Sequence, residues 1–254
     1  MKRILAGNWK MNLLLAEARA LYEEVAAGCR ERSGIACVLF PPATALAALA
    51  AARTEEGPAL GVQNCHFESK GAFTGEVSAE QARDAGARYA LVGHSERRRL
   101  FCESDQLVRQ KLIAAWRTGL HPVLCIGETL AERERRETRD VLARQLRRAL
   151  EGSPGKAPLW VAYEPVWAIG TGVVASVEEV VEAHAWVREE LAAAGRGAAG
   201  DPVPILYGGS VDPKNAGPLA AAPGVDGFLV GGASLQAASF LEIGRLLEQT
   251  VPAH

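Results

Sequence analysis

Eight short apolar runs, partly β-branched, divide the sequence at nearly even spacing: residues 4–6, 36–40, 59–62, 89–92, 122–126, 159–163, 204–207 and 226–230. Runs of this length read as buried strands. Their starts lie roughly 32 residues apart on average, the size of one βαβ unit. Helical periodicity fills the intervals. Leu14, Ala18, Leu21, Tyr22 and Val25 share one face, as do Leu107, Val108, Leu112, Ala115 and Trp116, and as do Val141, Leu142, Gln145, Leu146 and Ala149. Helix starts are marked by Ser78 with Gln81 and by Ser176 with Glu179 as capping boxes, and by Asp212 ahead of Pro213 as cap and first helical position.

Strand and helix alternate without a linker, so the expected fold is α/β: one closed, eight-stranded parallel (β/α)8 barrel domain over residues 1–254. An open doubly wound sheet is the alternative on pattern alone. In both architectures the loops after the strands hold the site.

Composition excludes other classes. With 48 % hydrophobic and 23 % charged residues the chain can bury a sizeable core and is neither disordered nor fibrous. Its 28 basic and 30 acidic residues leave a formal charge of -2, so no global field draws nucleic acid or an anionic membrane. The longest uncharged stretch, residues 33–52, carries Pro41-Pro42 in its middle and reads as strand, turn and helix, not as a membrane span. Met1-Lys2-Arg3 precedes only three apolar residues, so no signal peptide is expected. Five widely spaced cysteines without a C-x-x-C fit reduced thiols in a cytoplasm. No metal-binding cluster of His or Cys is evident.

Chemistry-bearing residues fall at the strand ends. Asn8 and Lys10 follow the first strand, and alternate residues of an extended chain point to one side. After the fourth strand, Gly93-His94-Ser95-Glu96-Arg97 puts an imidazole where a helix could begin, and the free amides there disfavour a positive ring. Glu164 ends the sixth apolar run. Each has a plainer reading: a surface lysine, a structural histidine, an ion-paired glutamate. Pro165-Val166-Trp167-Ala168-Ile169-Gly170-Thr171-Gly172 is apolar and ends in glycines, the composition of a lid. Gly208-Gly209-Ser210 and Gly231-Gly232 follow the seventh and eighth strands, where barrels commonly bind phosphate through backbone amides.

Three apparent motifs fail. The G-x-G-x-x-A match at residues 170–175 does not follow a strand directly, Gly155-Lys156 lacks the rest of a P-loop, and Arg97 breaks a nucleophile elbow at residues 93–97.

The segments Gly7-Asn8-Trp9-Lys10-Met11-Asn12, Gly93-His94-Ser95-Glu96-Arg97-Arg98 and 162–172, together with Gly71-Ala72-Phe73-Thr74-Gly75-Glu76, Tyr207-Gly208-Gly209-Ser210 and Gly231-Gly232-Ala233-Ser234-Leu235, resemble the triosephosphate isomerase family over essentially the whole chain. The resemblance implies interconversion of dihydroxyacetone phosphate and D-glyceraldehyde 3-phosphate through an enediol or enediolate, with no cofactor or metal. It implies Glu164 as the base, a neutral His94 as proton donor to the substrate oxygens, Lys10 as a fixed charge, Asn8 as a positioning group and Glu96 as a support for Lys10. Asn8, Lys10, Gly170, Ser210, Gly231 and Gly232 bind substrate and its phosphate, and residues 165–171 close over it. Phe73, Thr74 and Gly75 resemble a loop that enters a partner subunit, so a cytoplasmic homodimer is expected, without nucleic-acid or membrane partners. Cys125 matches a structural position beside the glutamate. A catalytically silent barrel that binds phosphosugars or a partner is the rival. Two positions depart from the family pattern: Val173-Val174, where a threonine often serves the hinge, and Cys102, where glycine is common.

Overall fold

The computed structural model describes residues 2–170, 173–197 and 202–250. Eight parallel strands close into a barrel in sequence order. They are β1 (Arg3–Asn8), β2 (Ile35–Phe40), β3 (Ala59–Val62), β4 (Tyr89–Val92), β5 (His121–Ile126), β6 (Trp160–Tyr163), β7 (Ile205–Tyr207) and β8 (Gly227–Val230). β1 closes the ring against β8 with Ile4 opposite Gly227. There a Cβ on residue 227 would stand 2.1 Å from the Ile4 carbonyl oxygen, so only glycine fits. The open-sheet alternative is excluded.

Alternation along the strands divides the core in two. Ile4, Ala6, Val38, Phe40, Leu91, Val123, Cys125, Trp160, Ala162, Leu206 and Leu229 fill the barrel. Leu5, Leu39, Leu60, Val92, Leu124, Val161 and Phe228 face the helices. This parity positions the site: Asn8 continues the inward set of Ile4 and Ala6, and Glu164 that of Trp160 and Ala162.

The capping boxes form. Ser78 Oγ accepts from the Gln81 amide at 3.1 Å while Gln81 accepts from the Ser78 amide at 2.9 Å. Ser176 and Glu179 repeat the arrangement at 3.2 and 2.8 Å. The expected helix start at Asp212-Pro213 is displaced. Asp212 does cap, accepting from the Lys214 and Asn215 amides at 2.7 and 3.1 Å, but it closes a turn, and the helix begins one turn later as Ala216–Ala221. Leu14 also departs from expectation: it precedes helix Leu15–Cys29 and is 76 % exposed. Cys102 has φ of +54°, a left-handed backbone that explains why glycine suits the position. Along helix Thr138–Leu150, Val141, Leu142, Gln145 and Leu146 are buried, while Arg139 and Arg147 pair outside with Glu189 and Glu190, each at 2.8 Å. No described helix is long and apolar enough to cross a membrane.

Candidate active site

At the C-terminal ends of the strands, a cavity of about 540 Å³ is lined by Asn8, Lys10, His94, Glu164, Gly170, Ser210, Gly231 and Gly232 together. Residues from β1, β4, β6, β7 and β8 thus converge on one space.

Glu164 is held by the ladder continuing past β6. Its amide donates to the Ile126 carbonyl at 2.7 Å, and the Gly208 amide donates to the Tyr163 carbonyl at 2.7 Å. The carboxylate is 1 % exposed. Oε2 accepts the Ser95 amide at 2.9 Å, and Oε1 lies 3.0 Å from His94 Nε2. Burial alone raises a carboxyl pKa, but His94, the Ser95 amide and Lys10 outweigh it and hold Glu164 below its ordinary value.

His94 reaches that position because Gly93, at φ +74°, breaks strand alternation and turns the chain into helix Ser95–Leu100. His94 is its N-cap, with Nδ1 accepting the Glu96 amide at 3.2 Å. Burial lowers the imidazole pKa, and the Glu164 carboxylate more than reverses this. The amide donated into Nδ1 leaves no place there for a second proton. The ring therefore carries its proton on Nε2, toward Glu164 and the cavity.

Lys10 lies two residues past β1 with φ of +51°. Nζ is 2.6 Å from Glu96 Oε1, on the same helix that His94 caps. Gln63 Nε2 donates to the Lys10 carbonyl at 2.8 Å and fixes the backbone. Asn8 Oδ1 accepts the Lys10 amide at 3.1 Å.

Opposite these groups, Ser210 and the first turn of the 3-10 helix Gly232–Leu235 line the cavity. The amides of a first helical turn have no intrahelical acceptors, which suits an anion. Ser210 Oγ donates to the Ala168 carbonyl at 2.6 Å, joining this wall to the segment that follows Glu164.

The segment expected to act as a lid is more anchored than its composition suggests. Val166–Ala168 forms a 3-10 turn, and Trp167 is partly buried, not exposed. Its Nε1 donates to Glu128 Oε1 at 2.8 Å and its ring faces the Arg133 guanidinium, 4.4 Å from the centroid. Thr171 and Gly172 lie outside the described residues. Val173 and Val174 are both exposed.

Sequence reasoning passed over Gly127 and Glu128. A Cβ on Gly127 would stand 1.7 Å from the Glu164 carbonyl oxygen, so glycine lets the ends of β5 and β6 meet. Gln145 holds it, accepting from its amide at 2.8 Å and donating to its carbonyl at 3.1 Å. Glu128 is fully buried and also accepts from Tyr163 Oη at 3.2 Å. Burial pushes its carboxyl up against the pull of those hydrogen bonds. An acid two residues past the fifth apolar run was its available signal. Cys125 is buried inside the barrel, and burial and Glu164 both push its thiol up, which suits packing and not nucleophilic work.

A second cavity, about 660 Å³, shares Asn8, Lys10 and His94 with the first and is also lined by Met11, Gly75, Leu100 and Phe101. Met11, Leu14, Phe73, Leu100 and Phe101 are all exposed.

Residues 3–247 match the family model described as triosephosphate isomerase. A triosephosphate isomerase of Citrifermentans bemidjiense is 48 % identical over 97 % of this chain and 99 % of its own. That of Stenotrophomonas maltophilia strain K279a is 50 % identical over 96 % of this chain and 97 % of its own. The crystal structure of triosephosphate isomerase from Bartonella henselae superposes with a TM-score of 0.88 at 38 % identity, covering 98 % of this chain and all of that one.

Proposed function

The chain belongs to the triosephosphate isomerase family, and from that premise we propose how its residues divide the reaction. It is an isomerase of triose phosphates, acting in glycolysis. Glu164 removes the proton α to the carbonyl of dihydroxyacetone phosphate and returns it to the neighbouring carbon, giving D-glyceraldehyde 3-phosphate. His94, neutral with its proton on Nε2, hydrogen-bonds the substrate oxygens and exchanges protons with them as the enediol or enediolate forms. This pairing of base and neutral imidazole is the family's established logic.

Lys10, oriented by Glu96, places positive charge where negative charge develops, and Asn8 fixes the oxygen beside it. Gly170, Ser210, Gly231 and Gly232 hold the phosphate. Closure of residues 165–171 excludes water from the enediolate. These steps move protons only and need neither metal nor cofactor.

One observation carries the assignment: the 3.0 Å approach of Glu164 and His94 in a cavity that Lys10 also enters. A silent binding barrel has no use for that pairing. The test is turnover of glyceraldehyde 3-phosphate by the purified, metal-free protein, coupled to reduction of the ketone formed. Turnover is expected, and its absence in folded protein would return the reading to a binding barrel.

The exposed apolar side chains around the second cavity support a homodimer in which Phe73, Thr74 and Gly75 of one copy enter that cavity in the other. A single domain acting in the cytoplasm completes the reading.

A further inference from the structure

Arg97, Arg98 and Arg99 form a basic run in helix Ser95–Leu100, and the three have different surroundings. Arg97 pairs with Glu103, and Arg99 is exposed. Arg98 turns inward, its side chain 15 % exposed. Nε donates to the Gly93 carbonyl at 2.8 Å, Nη2 to the Cys125 carbonyl at 3.3 Å and Nη1 to Asp105 Oδ1 at 2.6 Å. The guanidinium lies so close against Gly93 that a Cβ there would stand 3.0 Å from Nη2.

Those two carbonyls lie where the pairing of β4 with β5 gives out. The strands are in register as far as Val92 and Leu124, and Gly93 then turns away at φ +74°. Successive carbonyls of a strand point to opposite neighbours. The Ile126 carbonyl faces β6 and takes the Glu164 amide at 2.7 Å, so the Cys125 carbonyl faces β4, just where that strand has ended. A buried carbonyl needs a donor. Arg98 supplies one to both strand ends from the Nε–Nη2 edge of a single rigid fork. Asp105, the first residue of helix Asp105–Arg117, orients that fork from its third nitrogen. The fork thereby joins the two halves of the chemistry. His94 directly follows Gly93, and Glu164 docks by its amide on the residue after Cys125. The 3.0 Å approach of His94 to Glu164 therefore depends on how far apart the ends of β4 and β5 are held.

We propose that Arg98 is a positioning residue of the isomerase: by clamping the Gly93 and Cys125 carbonyls it fixes the spacing of His94 and Glu164, and it touches neither the substrate nor the reacting atoms. This rests on the roles given above to His94 and Glu164. Lysine is a poor substitute, because an ammonium on a flexible stem keeps a charge for Asp105 but reaches one carbonyl at a time. The loops assigned to the phosphate follow β7 and β8, across the closed barrel from β4 and β5. Loss of the clamp therefore falls on the chemical step and not on binding.

The test is Arg98→Lys, with Arg98→Gln beside it. Each is read by steady-state kinetics, by thermal unfolding and by the ring N–H resonance of His94 in 15N-histidine-labelled protein, identified by its absence from His94→Gln. For folded Arg98→Lys the expected result is a fall in kcat of about 10²-fold, the cost of a misplacement of about 1 Å. KM is expected to stay close to the parent's, and the His94 resonance to move or vanish as its bond to Glu164 loosens. Arg98→Gln reaches one carbonyl with an amide and is expected to repeat the pattern at a lower melting temperature. Either kcat or the His94 resonance staying at the parent value in folded Arg98→Lys would overturn the proposal. So would failure of Arg98→Lys to fold, since the arginine would then hold the fold and not the pair. A parent protein without turnover would count against the isomerase reading itself, and the resonance alone would then decide on Arg98.

Discussion

Both carboxylate oxygens of Glu164 are engaged, one by the Ser95 amide at 2.9 Å and the other by His94 Nε2 at 3.0 Å. Each oxygen accepts one contact and keeps a second lone pair, so the two contacts orient the carboxylate and favour its ionised form without exhausting its capacity to take a proton. His94 Nε2 points at the base and must turn its donor to the substrate when substrate enters.

Glu164→Gln keeps an acceptor for the Ser95 amide and nearly the same volume, and removes the basicity. The expected outcome is a fall in kcat of about 10²- to 10⁴-fold, the ordinary worth of a general base, with thermal unfolding within a few degrees of the parent. Steady-state kinetics beside a melting curve checks it. Retained turnover would remove Glu164 from its role.

Gly127→Ala tests the contact that positions Glu164 without touching its side chain. The added methyl would lie 1.7 Å from the Glu164 carbonyl oxygen, so the ends of β5 and β6 must separate. Gln145 grips residue 127 on both its amide and its carbonyl, so the movement falls on Glu164. A misplacement of about 1 Å costs roughly 10²-fold. The expected result is that loss in kcat/KM together with a lower melting temperature, and a variant matching the parent in both would show that the strands part freely.

Assembly is tested at the loop tip. Phe73 is 41 % exposed, its ring tilted against that of His66 with centroids 4.2 Å apart, and Thr74 beside it is exposed. Replacing both by glutamate puts two charges where an apolar partner surface is proposed, an arrangement that costs several kcal/mol. Sedimentation at micromolar concentration is expected to show a dimer for the parent and a monomer for the double variant. A monomeric, fully active parent would refute the interlocking loop.

Periodicity made the barrel legible because every strand is buried on both faces and each is followed by a helix with one apolar side. Parity carried further than fold: the count that buries Ile4 and Ala6 also aims Asn8, and the count that buries Trp160 and Ala162 aims Glu164. Gly127 was silent because its constraint is a distance between two backbones 37 positions apart in the chain. The anchoring of Trp167 was hidden for the same reason, since its partner Glu128 belongs to another strand end. Leu14 kept the helical period of its neighbours yet lies just before the first turn, where no barrel strand covers it.

His184 supplies a prediction about stability in acid. It is fully buried, with Nδ1 2.9 Å from the Gly224 carbonyl oxygen and Nε2 without a hydrogen-bond partner among the described residues. Burial lowers its pKa from 6.5 to about 4. Between those values the unfolded chain binds a proton that the folded chain refuses, so stability falls as pH drops below 6.5, and the loss is complete near pH 4. Linkage puts the loss at about 2.5 kcal/mol by pH 4.5. His184→Gln keeps a donor for the Gly224 carbonyl and does not titrate. Denaturant unfolding at pH 7 and pH 4.5 is expected to show the difference between parent and variant moving in the variant's favour by about that amount. Equal losses in the two proteins would mean that His184 accepts its proton without unfolding.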